Sequence, residues 1–279
     1  MPEKLTAIVK INRPINLLIT FISVIVAAFI CQPILFPRID VILAAFTASF
    51  VMASGNIIND IYDIEIDKIN RPERPLPSNK ITIVQAYSIY ISLVFISIFI
   101  SIFLNEAALV VVLPSILLLF FYSKYLKRIP LVGNIVVAFL TGLVFIFGGV
   151  VVGNPSAAIV LAVFAFLINL IREITKDIQD FEGDKTIGVK TLPIYFGFKT
   201  SKLIILLFTF ILILFTLYPF LTHLYKIEYF VFVMITVNPI LIYCLKKLFQ
   251  DQSLQNLKKI SNLLKLSMVF GLIAIYLGA

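Results

Sequence analysis

The sequence predicts an all-α integral membrane protein in which about nine transmembrane helices form a bundle around a central cavity open to the cytoplasm. Hydrophobic residues make up 61% of the 279 residues and charged residues only 14%, whereas a soluble globular chain is closer to half apolar and a quarter charged. The apolar runs are continuous over about twenty residues, which suits helices rather than the alternating strands of a membrane barrel. We expect residues 1–279 to form a single transmembrane domain.

Nine apolar segments are long enough to cross a bilayer as helices. The loops on one side are short and carry few charges, whereas the loops after the second and sixth segments are long and rich in acidic residues. This difference predicts that the protein functions on the side of the long loops. The predicted spans cover residues 15–36, 40–62, 82–104, 106–122, 131–152, 155–176, 200–222, 228–247 and 260–279.

Basic residues are divided unevenly between the two sides of the membrane. All Lys and Arg residues except Arg38 and Lys226 fall in the N-terminal segment, in the loops after the second, fourth, sixth and eighth spans, or at the ends of spans next to these loops. The positive-inside rule then places the N-terminus, these loops and the active site in the cytoplasm of a multi-pass protein of the cell membrane. Because the net charge of +8 serves as this topology signal, it does not call for a nucleic-acid partner.

Two acidic stretches with the same spacing, D-x2-D-x3-D, follow the second and sixth spans. Residues at i, i+3 and i+7 share one face of a helix, so each stretch can direct three carboxylates the same way. A single acidic turn at a helix end is ordinarily a solvated cap. Two copies with the same spacing favour a functional site instead. Charged groups near the membrane interior are costly, and they usually mark function. The aspartates are Asp60, Asp63 and Asp67 in the first motif and Asp177, Asp180 and Asp184 in the second.

The two motifs suit a metal-dependent reaction of a diphosphate. Carboxylates that face one another in a partly dry cleft repel, so either several are protonated or cations lie among them. Oxygen ligands favour hard ions, and Mg2+ typically binds one or two carboxylates together with substrate phosphates. The neighbouring Arg and Lys residues can bind the same anion. Apolar helices around such a site predict an isoprenyl diphosphate, whose allylic C–O bond would ionise while the cations stabilise the leaving diphosphate.

The motifs also resemble those of a known family, the UbiA superfamily of intramembrane prenyltransferases. Residues 59–67 are similar to the NDxxDxxxD signature of that superfamily, and residues 177–184 are similar to its second DxxxD motif. Residues 71–78 resemble its R-x2-R-P-L-P-S segment, and residues 122–127 resemble its Tyr/Lys loop. The resemblance extends over essentially the whole chain, including the nine spans.

Within this superfamily the chain is most similar to the archaeal digeranylgeranylglyceryl phosphate synthases. The similar features are the compact length, Arg13-Pro14-x-Asn16 at the start of the first span, and the run R-E-I-x-K-D-I-x-D-x2-G-D that begins at Arg172. The resemblance implies transfer of a geranylgeranyl group from geranylgeranyl diphosphate to the free hydroxyl of geranylgeranylglyceryl phosphate. That reaction forms the second ether bond of archaeal membrane lipid.

The same resemblance implies roles for individual residues. Two Mg2+ ions would be held by Asn59, Asp63, Asp67, Asp180 and Asp184, with Asp60 and Asp177 in support. The diphosphate would be bound by Asn59, Lys68, Arg71 and Lys127. Arg71, Lys127 and Tyr122 would take part in catalysis, Tyr122 by shielding or stabilising the carbocation.

A phosphate-bearing acceptor needs cations besides those that bind the diphosphate. The candidates are Arg13, Asn16, Arg172 and Lys176, for which anchoring at the membrane surface is the alternative role. No histidine is placed to act as a general base, so a carboxylate or the diphosphate itself would take the proton from the acceptor hydroxyl.

Other interpretations share some of these features. An aromatic prenyltransferase that acts on a quinone-precursor acceptor would share every diphosphate-binding residue and differ only at the acceptor site. A membrane transporter with an acidic cytoplasmic site could also hold these charges, although its acidic residues usually lie near mid-span beside broken helices. A CDP-alcohol phosphotransferase is disfavoured because its DG-x2-AR signature is absent from the sequence. Prenyl chain length and oligomeric state are left open.

Overall fold

The computed structural model describes residues 2–33 and 38–279, and the regular structure in these ranges is helical throughout. Short 3-10 turns occur at Leu126–Arg128 and Pro155–Ala158. The helices are α1 (Pro2–Ile11), α2 (Pro14–Cys31), α3 (Ile39–Tyr62), α4 (Ile64–Asn70), α5 (Ile83–Leu104), α6 (Glu106–Lys124), α7 (Val132–Val151), α8 (Ile159–Gln179), α9 (Phe181–Ile187), α10 (Leu192–Phe215), α11 (Tyr218–Leu221), α12 (Ile227–Ile235), α13 (Val237–Gln250) and α14 (Leu254–Gly278).

Nine helical segments in the described part of the chain are long and apolar enough to span a membrane, which confirms the predicted all-α membrane fold. The second to sixth segments lie within a few residues of their predicted boundaries. Residues 34–36, the end of the first predicted span, lie outside the described residues. The segments are Pro14–Cys31, Ile39–Tyr62, Ile83–Leu104, Glu106–Lys124, Val132–Val151, Pro155–Gln179, Leu192–Leu221, Ile227–Gln250 and Leu254–Gly278.

The seventh and ninth spans begin earlier than the sequence predicts. The seventh begins at Leu192 rather than near residue 200, and it continues across a break at Gly197, which has φ 81° and ψ 164°. Pro193 is compatible with the first turn because its missing N–H would have no intrahelical partner there. The ninth begins before residue 260 because Oγ of Ser253 accepts a hydrogen bond from the backbone N of Asn256 at 3.3 Å and caps α14.

The eighth span consists of two helices rather than one. Its break lies at Thr236, between α12 and α13, where φ is −120° and ψ is −69°. Pro239 follows in the first turn of α13 and cannot donate the backbone hydrogen bond that a continuous helix would require. The amide of Asn238 donates instead to Oγ1 of Thr216 at 3.1 Å, which satisfies polar groups beside the break.

The chain divides into two compact units, and the first comprises Met1–Lys127 and Val144–Ala158. A buried apolar cluster in this unit joins α1, α3, the loop at residues 71–81 and the start of α5. Because Leu76 and Ile81 belong to this cluster, the proline-rich loop is fixed against the end of α3. The buried members are Ala7, Ile11, Ile57, Ile58, Ile61, Leu76, Ile81 and Ala86.

Gly148 of α7 permits a close approach to α2 in the same unit. A Cβ atom added at Gly148 would lie 2.7 Å from the carbonyl oxygen of Val24 and 2.8 Å from Cβ of Ala27. Both distances are shorter than van der Waals contact, so only a residue without a side chain fits here. Small residues allow such close helix packing within membranes.

The second unit comprises Arg128–Leu143 and Ile159–Ala279. In this unit α8 packs against α10 and α14. The buried residues Ile171, Ile174 and Ile178 recur every three or four positions, so one face of α8 is directed into the core. The amide of Asn169 donates a hydrogen bond to Oγ1 of Thr141 at 2.9 Å and links α8 to the first half of α7.

Candidate functional site

The first acidic motif lies at a kink between α3 and α4. Asp63 separates the two helices with φ −101° and ψ 7°, so the single continuous helix assumed for the motif is interrupted. The backbone hydrogen-bond pattern nevertheless persists, because the N–H of Asp63 donates to the carbonyl of Asn59 at 2.9 Å and the N–H of Asp67 donates to the carbonyl of Asp63 at 2.7 Å. The helical face is therefore bent at its middle aspartate.

Two arginines bind the outer aspartates of this motif. Asp60 is buried, with 4% of its side chain exposed, and it accepts hydrogen bonds from the guanidinium groups of Arg13 and Arg74. The Nη1 atom of Arg74 lies 3.2 Å from Oδ1 of Asp60 and 2.5 Å from Oδ2 of Asp67. One guanidinium group therefore connects the carboxylates on both sides of the kink.

The middle aspartate has a different set of partners. The Nζ atom of Lys127 lies 2.5 Å from Oδ1 of Asp63 and 3.4 Å from Oδ1 of Asn59. The amide of Asn59 also donates to Oδ2 of Asp63 at 2.8 Å. Lys127, which lies 64 residues from Asp63 in the sequence, is thus brought into one hydrogen-bonded group with Asn59 and Asp63.

Burial and neighbouring charges together set the pKa values of Asp67 and Arg74. Burial raises the pKa of the Asp67 carboxyl to about 6, and the positive charge of Arg74 offsets only part of this effect. Burial alone would lower the pKa of the Arg74 guanidinium, but the charges of Asp60 and Asp67 outweigh it and raise that pKa. Arg74 therefore stays charged while Asp67 becomes easier to protonate.

The second acidic motif repeats the same kink in the second unit. Asp180 separates α8 from α9 with φ −91° and ψ 7°. The N–H of Asp180 donates to the carbonyl of Lys176 at 2.8 Å, and the N–H of Asp184 donates to the carbonyl of Asp180 at 3.1 Å. Asp177 accepts a hydrogen bond from the amide of Asn134 at 2.8 Å. The two motifs therefore share a local backbone shape as well as a residue spacing.

Arg172 and Lys176, two of the predicted acceptor-binding residues, contact one buried carboxylate. The Nη1 atom of Arg172 lies 3.0 Å from Oε1 of Glu173. The Nζ atom of Lys176 lies 3.0 Å and 2.8 Å from Oε1 and Oε2 of the same residue. Arg13 and Asn16, the other two predicted acceptor-binding residues, lie at the start of α2 in the first unit.

The remaining predicted residues lie at the ends of helices in the first unit. Arg71 ends α4, and Tyr122 lies half-buried in the last turns of α6. Lys68 forms an exposed ion pair with Glu65 at 2.7 Å.

The carboxylate oxygens of the two motifs are the type of ligand that a hard divalent cation prefers. No three acidic, His or Cys side chains among the described residues converge into a formed metal site. In the first motif the positive groups of Arg74 and Lys127 contact the carboxylates instead. Those cations balance the same negative charge that a metal ion would balance.

Three polar residues that contact the predicted site residues were not predicted from the sequence. Arg74 belongs to the proline-rich R-x2-R-P-L-P-S segment, but of its two arginines only Arg71 was given a role. Glu173 stood within a quoted motif without a role. No sequence motif pointed to Asn134, because its hydrogen-bond partner Asp177 lies 43 residues away in the sequence.

Comparisons with known proteins agree with the all-α membrane fold and with the predicted family. The model of the UbiA prenyltransferase family matches residues 20–269. Digeranylgeranylglyceryl phosphate synthase of Methanosphaera stadtmanae is 35% identical over 97% of this chain and 98% of its own. A solved structure from work on digeranylgeranylglyceryl phosphate synthase in membranes is 34% identical, has a TM-score of 0.78 and covers 99% of this chain and 98% of that chain.

A UbiA homologue from Archaeoglobus fulgidus, solved with GPP and Mg2+ bound, has a TM-score of 0.66 over 97% of this chain and 99% of that chain. Its identity is only 20%, so this likeness supports the fold alone. The family match covers most of the chain and favours an enzyme over the transporter interpretation. The chain belongs to the UbiA prenyltransferase family and is a multi-pass membrane prenyltransferase.

Proposed function

We propose that this prenyltransferase transfers a geranylgeranyl group from geranylgeranyl diphosphate to the free hydroxyl of geranylgeranylglyceryl phosphate. The observation that carries the proposal is the 35% identity to a digeranylgeranylglyceryl phosphate synthase over 97% of this chain and 98% of that one. The allylic C–O bond of the donor breaks and the diphosphate leaves with the electron pair. The acceptor oxygen then bonds to the allylic carbon and forms the second ether bond of the lipid.

The acidic motifs are proposed to hold two Mg2+ ions. Asn59, Asp63, Asp67, Asp180 and Asp184 would be ligands, with Asp60 and Asp177 in support. When bound, Mg2+ neutralises charge on the leaving diphosphate. Asp60 is proposed to support the ligands rather than to bind Mg2+ itself. Two guanidinium groups, those of Arg13 and Arg74, already pair with its carboxylate.

Basic residues of the first unit are proposed to bind the diphosphate directly. Lys127 is the strongest candidate, because its side chain is only 9% exposed and its ammonium group already contacts Asp63, a proposed metal ligand. Arg71 and Lys68 would add to this binding from the end of α4. Tyr122 would shield the carbocation from water with its aromatic ring.

The acceptor is proposed to be held through its phosphate. A phosphate monoester favours charge-assisted hydrogen bonds from guanidinium and ammonium groups. Arg172 and Lys176 form such a group on α8, while Arg13 and Asn16 would contribute from the start of α2. A carboxylate or the departing diphosphate would take the hydroxyl proton.

The active site is proposed to face the cytoplasm. Nearly all Lys and Arg residues lie in the N-terminal segment, in the loops after the second, fourth, sixth and eighth predicted spans, or at the ends of spans next to these loops. This asymmetry supports the orientation through the positive-inside rule.

An acceptor screen tests the proposed function. Purified protein in detergent, with Mg2+ and radiolabelled geranylgeranyl diphosphate, is offered geranylgeranylglyceryl phosphate, 4-hydroxybenzoate or 1,4-dihydroxy-2-naphthoate, each with an EDTA control. Metal-dependent product with the glyceryl phosphate alone is the expected result. Product with an aromatic acceptor alone would keep prenyl transfer but overturn the proposed acceptor. No product with any of the three would overturn the proposal.

A further inference from the structure

We infer that Glu173 is a positioning residue that orients Arg172 and Lys176 as one binding site for the phosphate monoester of a lipid acceptor. The inference rests on the proposed function and adds to it a residue on which the acceptor site depends. It is carried by three contacts on one stretch of α8 and by one buried polar atom.

Residues four apart lie on the same face of a helix, so Arg172 and Lys176 are neighbours and their like charges repel. Glu173 lies between them in sequence and accepts hydrogen bonds from both side chains. Its single negative charge keeps two cations together that would otherwise separate.

The contacts with Glu173 leave one edge of the Arg172 guanidinium group unused. Lys176 engages both carboxylate oxygens of Glu173, whereas Arg172 engages only Oε1, through Nη1. The Nε atom of Arg172 is buried and has no hydrogen-bond partner among the residues that the structure describes. Nε lies on the edge of the guanidinium group away from Nη1, so the contact with Glu173 does not use that edge.

A buried N–H group on a charged side chain is destabilising when it has no acceptor, and such groups in native proteins call for an explanation. An anion beside the Nε edge would satisfy the donor, and guanidinium groups match the geometry of phosphate oxygens. The arrangement therefore fits a phosphate ligand that Arg172 binds through Nε.

Glu173 keeps its role once the ligand is bound. Its side chain is only 10% exposed, and a buried carboxylate is stable when its charge is paired. We therefore expect Glu173 to keep Nη1 of Arg172 while Nε turns to the phosphate. Without the carboxylate, both cations would lose their fixed directions and the acceptor would bind more weakly.

The test compares Glu173→Gln with Glu182→Gln, which makes the same change at an exposed position of the same unit. The KM values for geranylgeranylglyceryl phosphate and for geranylgeranyl diphosphate are measured separately. We expect Glu173→Gln to raise the acceptor KM by about tenfold or more and to leave the donor KM within about twofold. An unchanged or lower acceptor KM, or an equal rise in both KM values, would overturn the inference.

A second variant keeps the test decisive if Glu173→Gln does not fold. Arg172→Lys retains the charge and the pairing with Glu173 but removes the Nε donor. Its acceptor KM is expected to rise while its unfolding temperature stays close to that of the unaltered protein. A wild-type acceptor KM in this variant would contradict the assignment of Nε to the phosphate.

A binding measurement separates this inference from the proposed function. Glycerol phosphate, the headgroup of the acceptor without its chain, is expected to raise the unfolding temperature of the unaltered protein and of Glu182→Gln but not of Glu173→Gln. Such a pattern supports the phosphate site even if the acceptor screen identifies another lipid. An equal effect on all three proteins would refute the inference while leaving the prenyl-transfer reaction intact.

Discussion

The Nη1 atom of Arg74 lies 2.5 Å from Oδ2 of Asp67, across the kink that Asp63 makes in the first acidic motif. The same atom lies 3.2 Å from Oδ1 of Asp60. Because the helix bends at Asp63, the spacing of the aspartates alone does not keep their carboxylates together. Arg74 provides this connection, so it is expected to position Asp67 for metal binding.

Replacing Arg74 with Gln should therefore weaken the response to Mg2+. We expect the Mg2+ concentration for half-maximal turnover to rise by about tenfold or more, the range seen when a group that orients a metal ligand is removed. Turnover of labelled geranylgeranyl diphosphate across a Mg2+ titration measures this change. Arg128→Gln removes an exposed arginine and serves as the control. An identical Mg2+ dependence in both variants would show that Arg74 does not position Asp67.

The spans could be predicted from the sequence because each is a continuous apolar run of sufficient length. The breaks within spans could not, because they depend on local partners. The break at Thr236, for example, is accompanied by a hydrogen bond from Asn238 to Thr216, which directly follows α10. Periodicity gives no information about such long-range partners.

The candidate site was predictable where residue types repeat at fixed spacing. Both acidic motifs were found in this way, and the structure shows that their central aspartates adopt nearly the same backbone angles. Arg74 was missed because its position depends on how residues 72–77 turn back, and Leu76 fixes that turn by packing into the apolar cluster of the first unit. Packing of the loop, rather than residue spacing, brings Arg74 into contact with the aspartates of the first motif.

The stability of the metal-free protein should fall as pH rises from about 4 to about 6. The cause is Asp67, whose pKa burial raises from 3.8 to about 6. The folded protein then holds a proton that the unfolded chain has already released, so its stability decreases with pH in this window. A pKa difference of about two units corresponds to at most roughly 3 kcal/mol.

Thermal unfolding in EDTA between pH 4 and pH 7 measures this effect for the unaltered protein and for Asp67→Asn. The difference between the two isolates Asp67 from other groups that titrate in the same range. Mg2+ should reverse the trend, since it binds the deprotonated carboxylate and stabilises more strongly as pH rises through about 6. Parallel pH profiles for the two proteins would refute the role assigned to Asp67.

The central aspartates of both motifs should be essential for turnover. Asp63→Ala removes the partner of Lys127 and Asn59, and Asp180→Ala removes the equivalent residue of the second motif. Each is expected to reduce turnover by at least about a hundredfold, while the protein still inserts into the membrane and folds. Activity assays together with size-exclusion profiles in detergent measure both properties.

Glu65→Ala is the matched control, because Glu65 is an exposed acid between Asp63 and Asp67 and forms an ion pair with Lys68. Its activity should stay close to that of the unaltered protein. If Asp63→Ala and Asp180→Ala also retained such activity, the proposed two-motif metal site would be wrong. Loss in only one of them would confine the metal to that motif.

A side chain at Gly148 should destabilise the first unit. The nearest atom to an added Cβ is the carbonyl oxygen of Val24, at 2.7 Å, and a backbone atom cannot rotate away as a side chain can. Gly148→Ala would therefore force α2 and α7 apart and loosen the buried contacts of Val24 and Ala28 with their neighbours. We expect a destabilisation of about 1–3 kcal/mol, typical of overpacking.

Gly271→Ala in α14 separates this steric effect from the intrinsic preference of alanine for helices. A Cβ at Gly271 would meet no atom within 4 Å, so that variant should keep or raise the unfolding temperature, by up to about 1 kcal/mol of added stability. A lower unfolding temperature for Gly148→Ala but not for Gly271→Ala would support the close approach of α2 and α7. Equal unfolding temperatures for the two variants would mean that α2 can move aside without cost, and the close packing would then not contribute to stability.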